Sequence, residues 1–456
     1  MTNTAALASP IPITATELSS RDVGQGIFWM LSSSPEWVHR RREYVSFHDS
    51  ATVSRRVRVE LTVPDVTPRL GPLGGRVCLV PLAFLEKREF TNFDVRDEDG
   101  RTLPVLTADE AITVGTAALL AAACHALSCE LGGLDEGFAD RVRDVVAGDW
   151  DEAGEHDERD ARFPMELRNG QVFWPLLERL ASEFPVLVLL PECIGQRRIL
   201  EFSYDETVDV RDLTVDAEDM QDQWIGPKPK RLLSRLASRL GWAPTRITVP
   251  ILAAADSKSY HFEARAPDGV EITEAALAVG PDRKSPSHRH DWAPGGTPGV
   301  HLHVSHAVRG SKGDALISLR ASRRGWLAFA WFSATVIALV LLLGMLWIPK
   351  LLSTPDHSGA AAAAFLLVLP GVFATVLVRP GEHAMASLLL LSVRGMLLTA
   401  GLIAYVAAAL PLSGLPQDRV TLIWGALSVL AVTLAVAITL SYRLPRIQTK
   451  RPSRLN

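Results

Sequence analysis

The sequence predicts an α+β cytosolic region with two β-rich lobes, the second a β-sandwich, followed by a C-terminal four-helix transmembrane domain. Three observations carry this reading. Trp326 to Ile348 is a run of 23 residues without a charge; at about 1.5 Å per residue it reaches roughly 34 Å, enough to cross the hydrocarbon core of a bilayer. Upstream of it, residues 56–63 (RVRVELTV) alternate apolar and polar, the period of a half-buried strand. Charge divides at the same place. Residues 326–456 hold 3 acids and 9 bases, leaving 48 acids and 38 bases in residues 1–325. An upstream part at −10 argues against a general nucleic-acid binder, which needs a dominant cationic face.

Residues 1–20 are rich in Thr, Ser, Ala and Pro and read as a mobile tail. An α+β lobe follows over 21–149. Its Arg40-Arg41-Arg42 run reads as a solvated face. Strands are expected at 56–63, 76–81 and 88–96, and Asp97-Glu98-Asp99-Gly100 reads as a tight turn. An EF-hand reading fails, because counting back from Gly100 puts Val95 at the first ligand position. Thr107 and Glu110 form a capping box ahead of an Ala/Leu-rich helix over about 108–129. Its flanks are acidic, and Thr113, Gly115, Thr116 and His125 interrupt it. It reads as a buried helix of the soluble part. Cys124, His125 and Cys129 lie on it, and small buried thiols are the favoured reading over a metal site.

Residues 150–165 form an acidic linker, and 166–242 an α/β connecting region. A helix over 171–183 has Pro175 in its first turn, and PVLVLL and RRILEFSY suit strands. Arg231, Arg235 and Arg239 then repeat every four residues opposite Leu232, Leu233, Leu236 and Leu240. This basic amphipathic helix either packs its leucines on the core or docks on anionic lipid headgroups.

Residues 243–321 read as a membrane-proximal β-domain. His288, His290, His301, His303 and His306 cluster there, five of twelve histidines within 19 positions. His-x-His on a strand directs both rings to one face, a pattern able to chelate zinc or copper. The competing reading is a polar loop and a half-exposed strand that use histidine without metal. No cofactor is implied.

The transmembrane domain spans 322–456, with spans at about 326–348, 359–378, 395–412 and 420–440. Arg394 is the one charge within these apolar runs. Either it lies in the membrane, or 380–393 is interfacial and the span starts after it. The favoured reading has its side chain reach the cytoplasmic headgroups. Ten bases then flank the spans on the cytoplasmic side, and Lys350 and Arg419 alone lie outside. Both termini are thus expected in the cytoplasm, in a plasma (inner) membrane. The absence of an n-region and h-region in the first 20 residues agrees with a cytosolic start, as do four sparse cysteines.

The stretch LVPLAFLEKREFTNFDVRDEDGRTLPVLT, with the four-segment C-terminal region, resembles a group of actinobacterial membrane proteins. No activity is established for that group, so the resemblance implies none here.

No Walker, dinucleotide, zincin, nucleophile-elbow or kinase pattern occurs, and no catalytic residue is assigned. The expected function is a non-enzymatic membrane protein whose cytosolic domain binds a protein or small ligand, with spans that anchor it in the bilayer and suit homo-oligomerisation. The alternatives are a small channel or effector gated by the cytosolic domain, and a membrane-tethered hydrolase or metal enzyme.

Overall fold

A computed structural model describes residues 13–48, 52–71, 77–87, 90–130, 133–135, 137–148, 163–168, 172–191, 193–207, 245–251, 256–279, 288–291, 296–305, 313–322, 326–353, 383–413 and 415–443. The basic helix around Arg231, Arg235 and Arg239, residue His306 and the expected span 359–378 lie outside these residues.

A six-stranded sheet organises the N-terminal region. Its order is β12 (Gly299–Ser305), β9 (Ser259–Arg265), β1 (Val38–Phe47), β2 (Thr52–Thr62), β7 (Arg197–Thr207) and β5 (Phe90–Arg96). β1 and β9 are parallel, and the other neighbours are antiparallel. Strands from the first and second β-rich stretches therefore share one sheet. Alternation sets its faces as the sequence predicts: Val57, Val59 and Leu61 are buried while Arg56 and Arg58 are exposed.

Two smaller sheets cover the inner face of this large sheet. A three-stranded sheet of β3 (Arg69–Leu70), β4 (Val77–Glu86) and β6 (Glu183–Pro191) packs on one half. Val80, Val186 and Val188 meet Val57, Leu200 and Phe202 there. A four-stranded sheet of β11 (His288–Asp291), β10 (Val270–Val279), β13 (Gly313–Ala321) and β8 (Thr245–Ile251) packs on the other half, where Ile272, Ala315 and Ile317 meet Val45, Tyr260 and Phe262. The outer face of the large sheet carries charged and polar side chains.

Helices cover the far side of the three-stranded sheet: α1 (Ala15–Leu18), α2 (Arg21–Ser32), α4 (Ala108–Leu127), α5 (Phe138–Ala147), α6 (Met165–Arg168) and α7 (Phe173–Ser182), while α3 (Ser34–Trp37) leads into β1 and turns Trp37 into the core against the large sheet. β4 is buried on both sides, so Leu79 and Phe84 join the helical core while Cys78 and Val80 face the large sheet. The Thr107–Glu110 capping box is present at the start of α4. Residues 13–18, read from sequence as part of a mobile tail, are ordered: Leu18 is 1% exposed and Ile13 packs beside it. Composition alone favoured a tail. The Thr14–Glu17 capping box starts a turn that buries an apolar residue.

Among the described residues of the C-terminal region there are three apolar helices: α8 (Trp326–Ser353), α9 (Ala384–Ala409) and α10 (Gln417–Arg443). Together with α4, they make four helices among the described residues that are long and apolar enough to cross a membrane, compatible with a multi-pass membrane protein. α4 instead packs its apolar side against α2, α5 and α7 in the helical layer. The other three pack on one another through Ala330, Ala334, Leu397, Ala404 and Trp424.

Candidate functional site

The outer face of the large sheet brings part of the histidine set together. His301 and His303 point outward from β12, and the β12–β9 register sets His303 opposite His261 and His301 opposite Glu263. His261 Nδ1 lies 3.0 Å from His301 Nε2. Ser259 Oγ lies 3.0 Å from both His261 Nε2 and His303 Nε2. Glu263 sits 3.9 Å from His301 and accepts two hydrogen bonds of 2.9 Å from Arg42 on β1. Burial, then His303, His301, Arg40 and Arg42, push the His261 imidazole down to about 4, so it is neutral at pH 7.

His288 and His290 belong to β11 of the four-stranded sheet, not to this face. Among the described residues no group of three metal-ligating side chains is arranged to hold an ion. His261 turns its two ring nitrogens to partners on opposite sides, so the three imidazoles do not converge. The sequence reading missed His261. It lies 40 residues from His301, and only strand register joins them.

Behind this face lies a buried charge network. Arg55 is 1% exposed and pairs with Glu43 and Glu206. It also donates to Pro250 O at 2.8 Å, and Tyr260 Oη donates to Glu43 at 2.6 Å. Burial opposes the Arg55 charge, but Tyr204, Glu206 and Glu43 outweigh it and raise its pKa. Arg41, read from sequence within a solvated run, is 3% exposed. On a strand a run of three alternates faces, so Arg40 and Arg42 point out and Arg41 points in. Its guanidinium packs 5.5 Å from the Phe202 ring centre. A cavity of about 30 Å³ lies beside it, lined also by Ser34, Trp37, Arg179 and Asp256. That is room for water, not for a metabolite.

The third element is the junction with the apolar helices. Four residues separate the end of β13 from the start of α8. α9 starts inside the β-domain core: Met385 and Ala386 are 1% and 0% exposed and pack with residues of the large and four-stranded sheets. His383 caps this helix through Nδ1 and reaches Phe47 O, at the end of β1, through Nε2 at 2.9 Å.

Comparison of the chain with protein-family models and with curated proteins finds no match.

The junction also places Arg394. The helix is continuous from Ala384, with no break before residue 395. Arg394 lies within it and donates to Ser387 Oγ, seven residues earlier, at 2.7 Å. Its side chain therefore runs toward the β-domain end of the helix.

Proposed function

We propose that this chain is a multi-pass inner-membrane protein, both termini cytoplasmic, whose β-sandwich-like N-terminal region binds a protein or small ligand and is coupled mechanically to its spans. The observation that carries this reading is the burial of Met385 and Ala386, the first turn of α9, in the core of the β-domain. A free anchor needs no such insertion. The short β13–α8 connection adds a second tie. Arginines at 320, 323 and 324 support a cytoplasmic start for α8, and the Arg394 direction supports the same side for the start of α9.

The described helices meet through polar pairs that satisfy one another. Trp331 Nε1 donates to Thr439 Oγ1 at 3.1 Å, and Trp424 Nε1 to Leu341 O at 2.9 Å. Such pairing supports an anchoring or signalling bundle over a conduction path.

Topology reporters fused at each terminus and inserted at residues 415–416, ahead of α10, test the threading. Cytoplasmic signals at both termini and an external signal at the insertion are expected; an external terminus rejects it. A flexible Gly/Ser insertion after Arg324 tests the coupling. Hydrogen exchange should stay slow in α9, held by its own insertion, and rise at the start of α8. An unchanged profile in both helices would leave the spans as anchors only.

A further inference from the structure

The four cysteines fall into two pairs. Cys78 and Cys193 are 0% and 1% exposed in the core between the large and three-stranded sheets, where Cys78 acts on the Cys193 thiol. Cys124 and Cys129 close the C-terminal end of α4. Ser128 takes a left-handed conformation there (φ 50°, ψ 40°), and the Cys129 N–H returns to Cys124 O at 3.1 Å. This is the closure that lays the residue near the helix end against the residue just beyond it. Here those two residues are the cysteines, close enough that Cys129 acts directly on the Cys124 thiol. Both are half-buried, unlike the other pair. Burial and the neighbouring Cys129 push the Cys124 thiol up, and the nearby Arg21 partly offsets them. The Cys124 thiol is therefore not marked as a strong lone nucleophile; what distinguishes the pair is proximity.

We propose that Cys124 and Cys129 form a reversible redox pair that closes to an intramolecular disulfide on reaction with a low-molecular-weight disulfide. One thiolate attacks a sulfur of the small disulfide, forms a mixed disulfide and expels one small thiolate. The second cysteine thiolate attacks the protein sulfur of that mixed disulfide and expels the other small thiolate. The protein loses two electrons and two protons, and the oxidant leaves as two thiols. The helix-end closure that brings the two cysteines together favours the second step over accumulation of the mixed disulfide. Closure pins the last turn of α4, where His125 packs 5.3 Å from Trp29 of α2 (ring centres). The redox state thus acts on the α2–α4 contact of the helical layer.

The test treats the reduced full chain, in detergent, with oxidised glutathione and maps the thiols by mass spectrometry. Two of the four thiols should be lost, giving a Cys124–Cys129 link within one chain and no retained glutathione, while Cys78 and Cys193 stay reduced. Cys124→Ser should instead hold glutathione on Cys129, and added reductant should restore four thiols in the wild type. Glutathione retained on both Cys124 and Cys129 would overturn the proposal, as would a link between two chains or four thiols left free.

Discussion

The imidazole of His383 joins the first turn of α9 to the last residue of β1. Its Nδ1 accepts the Met385 N–H at 3.2 Å, so Nε2 carries the proton donated to Phe47 O at 2.9 Å. The cap needs an unprotonated Nδ1, since a protonated nitrogen has no lone pair to accept with. β1 carries Arg42 on the outer face beside the histidines and Glu43 on the inner network. One strand thus links both polar clusters to an apolar helix. His383→Ala removes a helix cap and a second hydrogen bond. The expected loss is about 2 kcal/mol, read as a lower unfolding midpoint of the full chain in detergent. His383→Asn keeps a capping group but not the reach to Phe47, and should fall between the two. Equal stability of all three proteins would mean that the tie is not energetically coupled to folding.

Arg55 is the countercharge for two buried carboxylates, Glu43 and Glu206. Arg55→Met leaves both without it. Breaking a buried ion pair in this way costs about 3–5 kcal/mol, so the variant should unfold at much lower denaturant or fail to accumulate. Tyr260→Phe removes only the 2.6 Å bond to Glu43 and, as a bond to a charged group, should cost about 1.5–3 kcal/mol. Denaturant titration of both variants checks the order; a Tyr260→Phe loss exceeding that of Arg55→Met would contradict the network.

What could be read from sequence was local, and what was missed was not. Val57, Val59 and Leu61 declare an inward face by alternation, and Thr107 with Glu110 declare a helix start three residues apart. Arg55 carries no such signal, because its partner Glu206 is 151 residues away. His261 joins His301 only through the β9–β12 register. The start of α9 was open in the sequence because Arg394 invited a membrane boundary. The helix continues back to Ala384 because its first turn is buried in protein. A charge inside an apolar run signals an interface only if lipid surrounds the preceding turn.

Acid should weaken the outer-face cluster. The folded-state pKa of His261 is lowered from 6.5 to about 4. Between those values the unfolded chain holds a proton that the folded chain lacks, so this histidine's share of stability is complete above pH 6.5 and declines as pH falls toward 4. The denaturant midpoint of wild type should therefore drop over this window. His301→Gln and His303→Gln each remove a neighbour that depresses His261. NMR titration should find the His261 pKa higher in both variants, with a shallower loss of stability. A higher midpoint at pH 4.5 than at pH 7 that His261→Gln abolishes would reverse the assigned sign.

The contact between α8 and α10 rests on a glycine. A Cβ on Gly344 would stand 2.6 Å from Trp424 Cζ2, inside the distance real Cβ atoms keep. Trp424 cannot readily withdraw, since it is 3% exposed and its Nε1 donates to Leu341 O at 2.9 Å. Helices that gain little from apolar transfer in lipid depend on such close approach and on hydrogen bonds between them. Gly344→Ala should therefore separate the pair at a cost of about 1–3 kcal/mol, read by thermal unfolding in detergent. Gly401→Ala is the matched comparison, because no atom lies within 4 Å of its Cβ position; it should leave stability unchanged or slightly higher. Trp424→Leu removes the obstructing ring, so adding it to Gly344→Ala should cost less than the two single losses combined. Strict additivity would show that the ring is not what excludes a side chain at position 344.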